Sequence, residues 1–173
     1  MKISLLALLT IFGLFVSCDQ KADQKSATLI VDHRIFDNAE LLTKEQEDSL
    51  FQLIESLDNK IGSQIAINTI FSLDGQRIEE YSLERAEELG LGRAKFDDGI
   101  LITVAKEDRT MRIEVGYGLE KIVRDEIAAR IIREEMAPSF RNEDYAGGLS
   151  KGIKKIIKLI EDNRELVGQR LND

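Results

Sequence analysis

The chain has 173 residues, of which 32 are acidic and 24 are basic, so its formal net charge at pH 7 is −8. A surface of this sign is a poor partner for nucleic acid, which binds proteins through clustered lysine and arginine side chains. The single histidine, His33, and the single cysteine, Cys18, argue against a zinc or copper centre, because those metals need several nitrogen or sulfur ligands. A metal bound by this chain should therefore be a hard cation held by carboxylates.

The chain begins with a predicted lipoprotein signal peptide, residues 1–17. A nearly continuous apolar run extends from Ile3 to Val16, which is the length of a signal-peptide core and too short for a permanent membrane span. Ser17-Cys18 then resembles the end of the bacterial lipobox, in which the cysteine thiol receives diacylglycerol and the preceding segment is removed. An ordinary secretory signal with a chance cysteine is the alternative. Acyl chains contribute about 0.8 kcal/mol per buried methylene, so several chains hold a protein durably on a membrane.

Residues 18–27 are predicted to be a flexible tether after the lipidated Cys18, because they are polar and small and lack an apolar pattern. Their acidic, glutamine-rich start resembles the tags that export some bacterial lipoproteins to the cell surface, and a plain linker is the alternative. Residues 28–173 have the size of one domain, which we expect to be monomeric. We expect the protein in the cell envelope, outside the cytoplasm, as a membrane-anchored lipoprotein on the periplasmic or surface side.

The domain begins with alternating helical and strand patterns. Thr43 to Gln46 has the sequence of a capping box, and it opens an amphipathic helix that Gly62 ends. Gln64 to Phe71 carries the β-branched alternation of a strand. Asp74-Gly75 marks a turn before a second helix, from Arg77 to Leu89.

The second half predicts a hairpin and two further helices. Ile100 to Ala105 is a nearly continuous apolar run, typical of a strand buried on both faces, and it should pair with Met111 to Val115 as an antiparallel hairpin. A helix over Ile122 to Met136 is expected to end before Pro138, and Asp144 to cap the last long helix. Helices must cover both faces of the sheet, so the predicted fold class is α/β. It is an α/β/α sandwich with a mixed, mostly parallel sheet that includes one antiparallel hairpin.

Several motifs along the chain resemble, in order and spacing, those of the TPM domain family. They are Phe36-Asp37-Asn38-Ala39, Leu91-Gly92, Phe96-Asp97-Asp98-Gly99, Arg112 to Glu120, and Pro138-Ser139-Phe140 with Asp144-Tyr145. The resemblance runs from about Ile35 to Ile160 and implies an α/β/α domain on the outer side of a membrane. Some members resemble weak acid phosphatases, some bind calcium, and some serve photosystem repair or receptor assembly. Many bacterial members carry a C-terminal transmembrane helix, whose place a lipid on Cys18 is expected to take.

Asp97 and Asp98 form the centre of the candidate site. They precede the predicted buried strand, and ligands of open α/β sheets gather in crevices at strand ends. Two adjacent carboxylates repel each other unless a cation or hydrogen-bond donors neutralise them. Calcium takes six to eight oxygen ligands, so the pair alone is insufficient. The resemblance suggests Asp37 as a third ligand, and Mg²⁺ is the alternative cation.

Glu120 and Asp125 are further candidate ligands, because they follow the Gly116-Tyr117-Gly118 turn. Each candidate also has a structural alternative. The pair before the strand could form only a turn, and Asp37 could support the approach to the first helix. Glu120 and Asp125 could be acidic charges that a helix N-terminus favours.

Two classes of function stay open, and a third involves neither metal binding nor catalysis. The favoured class is a lipid-anchored, calcium-binding module that assists envelope or membrane proteins. The alternative is a metal-assisted weak acid phosphatase, in which the same aspartates hold a metal that polarises a phosphate. The sequence names no catalytic residue, since it has no cysteine nucleophile with an arginine loop, no Ser-His motif and no glycine-rich phosphate cradle. The third class is a purely structural spacer.

Overall fold

A computed structural model describes residues 34–171 of the chain. The predicted signal peptide, Cys18 with its tether, and His33 lie outside the described residues. Four strands form one sheet in the order β1-β2-β3-β4, in which β1, β2 and β3 are parallel and β4 is antiparallel to β3. The strands are β1 Ile35–Asp37, β2 Gln64–Ile70, β3 Gly99–Ala105 and β4 Thr110–Val115. This confirms the predicted mixed sheet with one antiparallel hairpin.

Helices cover both faces of the sheet, as predicted for an α/β/α sandwich. They are α1 Lys44–Ile61, α2 Ile78–Leu89, α3 Asp125–Ile131, α4 Ala137–Phe140 and α5 Tyr145–Asp162, with a π-helical turn at Ile132–Met136 and 3₁₀ turns at Tyr117–Leu119 and Arg164–Leu166. Helices α1, α3 and α5 share the main hydrophobic core with the sheet, whereas α2 packs on the opposite face. Within residues 34–171, no helix is both long and apolar enough to cross a bilayer.

Helix α1 has the boundaries that its sequence predicts. The Thr43 side chain accepts a hydrogen bond from the Gln46 backbone N–H at 3.3 Å, and the Gln46 side chain accepts one from the Thr43 N–H at 2.9 Å. Gly62 ends the helix with φ of 89°, a left-handed conformation that glycine adopts without steric cost. The apolar face of α1 packs on the core, and its buried side chains are those of Leu50, Ile54 and Leu57.

The face of the sheet under α2 is thinner and more polar than the opposite face. Ser82 of α2 is fully buried, and its hydroxyl donates to Thr103 Oγ1 of β3 at 2.9 Å. Asn68 of β2, also buried, donates through Nδ2 to the Tyr81 hydroxyl at 3.2 Å. Because α2 is the one helix of residues 34–171 that packs on this face, the strip beside β4 is left open as a groove.

Two local predictions were wrong. The expected helix from Ile122 begins instead at Asp125, because Ile122 and Val123 are buried in the turn that precedes it. The helical path also continues past Pro138 to Phe140. A π-helical turn immediately before this segment brings the proline into the first turn of α4, where a missing N–H is tolerated.

Candidate functional site

Two segments meet by backbone contact at the end of the sheet where β3 begins and β4 ends. Gly116 N–H donates to the Gly99 carbonyl at 2.8 Å, and Gly118 N–H donates to the Asp97 carbonyl at 3.0 Å. A Cβ atom at Gly118 would overlap with the Phe96 carbonyl oxygen, and one at Gly116 would overlap with the Asp97 carbonyl oxygen. The turn after β4 therefore needs glycine at both positions, because its backbone touches the backbone of the segment before β3.

A groove of about 700 Å³ lies beside this junction and along β4. One wall is the carboxyl-terminal half of α2, the other is the start of α3, and β4 lines the space between them. Among the described residues, the lining of the groove includes six with carboxylates and two with guanidinium groups, so we name it the acidic groove. The carboxylates are those of Glu87, Asp97, Glu114, Glu120, Asp125 and Glu126, and the guanidinium groups are those of Arg112 and Arg124.

Three of the five predicted metal ligands line the acidic groove. Asp97 reaches it from the segment before β3, Glu120 from the turn after β4, and Asp125 from the first residue of α3. Asp97 adopts φ of 48°, which turns the chain sharply at that point. The folded chain thus collects acidic side chains from three segments that are separate in sequence.

Asp98 does not reach the groove, because it is fully buried and bonded to donors of the protein itself. Its Oδ1 accepts from the Arg93 backbone N–H at 2.8 Å. Its Oδ2 accepts from the Ser63 hydroxyl at 3.0 Å and from Arg93 Nε at 2.9 Å, and it also pairs with Arg93 Nη2. The charge of Asp98 is therefore balanced by the guanidinium group of Arg93.

Asp37 lies at the opposite end of the sheet. In the register it pairs with Thr69, which pairs with Val104, five residues along β3 from Gly99 and thus about 17 Å away. The Asp37 carboxylate accepts from the N–H groups of Leu41 at 3.1 Å and Leu42 at 2.9 Å, and from Thr69 Oγ1 at 2.5 Å. Asp37 closes the loop before α1, and the structure does not bring it near Asp97.

The end of the described chain returns to the groove and contacts Asp97. Gly168 N–H donates to the Gly118 carbonyl at 2.8 Å, and the Arg170 guanidinium forms an ion pair with the Asp97 carboxylate. The Arg170 guanidinium also lies 5.6 Å from the centre of the Tyr117 ring. Sequence reasoning missed both Arg93 and Arg170, because an isolated arginine carries no motif that predicts its partner.

The groove does not have the geometry of a preformed metal site. Across residues 34–171, no three His, Cys, Asp or Glu side chains converge on a position that could hold one ion. Glu120 is half-buried and Asp125 is exposed, and neither forms a salt bridge within the part of the chain that the structure describes. The three carboxylates share a groove but would have to move towards each other to share a cation.

Comparisons with known proteins agree with the fold. A family model described as the TPM domain matches residues 35–159. The solution structure of the N-terminal domain of a P. gingivalis protein has a TM-score of 0.73 at 29% identity, covering 80% of this chain and 88% of that one. The NMR structure of the BA42 protein from Bizionia argentinensis has a TM-score of 0.62 at 22% identity, covering 78% of this chain and 89% of that one. The N-terminal domain of a Corynebacterium glutamicum protein has a TM-score of 0.58 at 13% identity, covering 88% of this chain and 86% of that one. The sequence matches no curated protein.

Proposed function

Because this chain belongs to the TPM domain family, we propose that it is a divalent-cation-binding module of the cell envelope, with the acidic groove as its ligand site. The observation that carries the proposal is the meeting of Asp97, Glu120 and Asp125 in one groove from three separate segments. Their mutual repulsion is relieved when a cation enters, which gives the groove an electrostatic preference for positive charge.

Calcium fits this groove better than magnesium does. Magnesium demands a near-ideal octahedron, whereas calcium accepts six to eight oxygens in flexible arrangements, including water. Carboxylates on three separate segments supply such an irregular set. Since they do not converge before binding and Arg170 already pairs with Asp97, we expect a Kd of about 10⁻⁴ to 10⁻³ M, the range of extracellular calcium modules.

Calorimetric titration of calcium into the mature protein carrying Cys18→Ser tests the proposal. A double variant, Glu120→Gln with Asp125→Asn, should lose most of the binding heat. The matched control, Glu55→Gln with Asp74→Asn, removes the same charge from two exposed positions that do not line the groove, and it should bind calcium normally. Equal affinity in both double variants, or no binding at 10 mM calcium, would remove the groove as a cation site.

The phosphatase alternative draws support from Arg112 and Arg124, whose guanidinium groups line the same groove and could pair with a phosphate. Arg112 Nε, however, already donates to Glu114 at 2.6 Å, and the groove's other acidic residues repel an anionic substrate. We therefore favour the binding module. Hydrolysis of p-nitrophenyl phosphate that depends on added metal and disappears in Asp97→Asn would reverse this preference.

The proposal places the module on a membrane through Cys18. Its support is the apolar run from Ile3 to Val16, followed by the only cysteine of the chain. The expressed protein should partition into the detergent phase of a Triton X-114 extract and incorporate labelled palmitate. Cys18→Ser should move it to the aqueous phase and abolish the label, and a protein that stays aqueous without the substitution would refute lipid anchoring.

A further inference from the structure

Strand β4 presents a free edge along the acidic groove. It is the last strand of the sheet and spans six residues, and among residues 34–171 its only strand partner is β3. The hydrogen bond from Gly116 N–H to the Gly99 carbonyl fixes which residues of this antiparallel pair bond to each other. By the alternation of such ladders, Met111, Ile113 and Val115 direct their N–H and C=O groups away from β3.

These outward backbone groups have no hydrogen-bond partner among residues 34–171. Proteins usually protect a long edge strand with proline, lysine, a bulge or a covering loop, because an open edge pairs with other chains. Strand β4 contains neither proline nor lysine, and its two charged side chains, Arg112 and Glu114, pair with each other at 2.6 Å. Its register with β3 runs without a bulge from Thr110 to Val115. The other edge strand, β1, has only three residues.

The groove also collects exposed apolar side chains. Four large hydrophobic residues in the described part of the chain are exposed, namely Phe71, Leu83, Tyr117 and Leu171. Three of them line the groove, with exposures of 49% for Leu83, 61% for Tyr117 and 52% for Leu171. A concentration of apolar surface beside an unpaired strand marks an interaction site more often than a scattered set does.

We propose that the β4 edge binds an extended, basic segment of a partner protein by adding it to the sheet as a further strand. The main chain of the segment would bond to Met111, Ile113 and Val115, as in other complexes formed by strand addition. Lysine or arginine side chains on the segment match the groove's acidic residues, which outnumber its basic ones even after Asp97 pairs with Arg170 and Glu114 with Arg112. Successive residues of a strand face opposite sides, so the residues between the basic ones lie on the sheet face of Met111 and Val115, whose side chains pack against the main core. The expected pattern therefore alternates basic and apolar residues.

The proposal shares the acidic groove with the proposed cation site but does not require a cation. It also excludes an anionic membrane surface as the occupant, because the groove's carboxylates would repel anionic head groups. A helical partner would leave the outward N–H and C=O groups of β4 unbonded, since a helix uses its own backbone groups internally.

The test uses the mature protein carrying Cys18→Ser and a fluorescent heptapeptide of alternating lysine and valine, in EDTA and again in calcium. Polarisation should report binding, and hydrogen exchange should slow at the amides of Met111, Ile113 and Val115. A peptide of alternating glutamate and valine should not bind. A lysine–valine peptide with N-methyl groups along one edge keeps its charge but cannot pair, and it should bind at least about tenfold more weakly.

Two protein variants separate the groove from nonspecific charge attraction. Glu87→Gln with Glu126→Gln removes two exposed groove carboxylates and should weaken binding about tenfold. The control, Glu55→Gln with Asp74→Asn, should bind like the unchanged protein. Binding without protection of the three β4 amides, or equal binding of the N-methylated peptide, would overturn strand addition. A peptide that fails while calcium still binds would refute this inference alone, and the reverse result would refute the cation site alone.

Discussion

Arg93 covers the fully buried carboxylate of Asp98, donating to it from the backbone N–H at 2.8 Å and from Nε at 2.9 Å. The same guanidinium lies 4.1 Å from the centre of the Phe96 ring. Arg93 therefore holds the segment before β3 together through its contacts with Asp98 and Phe96.

Asp98→Asn should lower the free energy of unfolding by about 1–3 kcal/mol, because the buried amide cannot accept all the hydrogen bonds that Arg93 and Ser63 donate to the carboxylate. Urea denaturation of the purified variant measures the loss. The neighbouring substitution Asp97→Asn, at a side chain that is 33% exposed and paired with Arg170, should change stability by less than about 1 kcal/mol. An Asp98→Asn protein of normal stability that no longer binds calcium would instead identify Asp98 as a cation ligand.

Gly118→Ala should destabilise the fold by at least about 2 kcal/mol, because the added methyl would overlap with the Phe96 carbonyl oxygen and no flexible side chain can yield. Gly75→Ala is the control. Its glycine has φ of 87° but no atom within 4 Å of an added Cβ, so it should cost only about 1 kcal/mol. Thermal denaturation compares the two, and equal losses would mean that the backbone contact at Gly118 is not needed.

Arg170→Ala should raise calcium affinity about two- to fivefold, because an exposed ion pair of this kind is worth up to about 1 kcal/mol and calcium must break it to reach Asp97. Calorimetry on the mature protein provides the measurement. Arg164→Ala removes the same charge from the same tail and serves as the control. If Arg170→Ala binds calcium no better than Arg164→Ala does, Asp97 takes no part in cation binding.

Asp37→Ala should destabilise the protein by about 2–3 kcal/mol without changing calcium affinity, because three donors from Leu41, Leu42 and Thr69 lose their acceptor. Hydrogen exchange at the amides of Leu41 and Leu42 should quicken in the variant. Asn38→Ala, at the exposed neighbour, should leave both properties unchanged. Loss of calcium binding in Asp37→Ala at full stability would contradict the separation of Asp37 from the groove.

The fold could be predicted because the hydrophobic residues of its helices and strands recur at regular spacings, and because capping and turn residues mark where these elements begin and end. The capping box at Thr43 and the apolar run from Ile100 needed no tertiary information, and both are confirmed. Strand β1 has three residues, which is too short to show any period, and it was missed. The helical path through Pro138 depends on a π-helical turn whose sequence has no distinctive pattern.

The candidate site was harder to predict, because the chain turns sharply at Asp97, whose φ is 48°, and so sends two neighbouring aspartates to different surroundings. Asp97 and Asp98 look equivalent in the sequence, yet one is partly exposed at the groove and the other is fully buried. The adjacent aspartates predict a neutralising group, but their sequence does not distinguish a cation from Arg93. Glu120 and Asp125 join Asp97 only because β4 is antiparallel to β3 and its end returns to the start of β3.

The strand order places the start of the described chain and the acidic groove at opposite edges of the sheet. The described chain enters the sheet at β1, while the acidic groove follows β4, so three strand spacings, about 14 Å, separate the two. A protein attached to a surface by the residues before Arg34 would therefore be held near the β1 edge of its sheet. The opposite edge, β4, would face away from that attachment. Attachment and recognition can then proceed at the same time, because neither competes with the other for space.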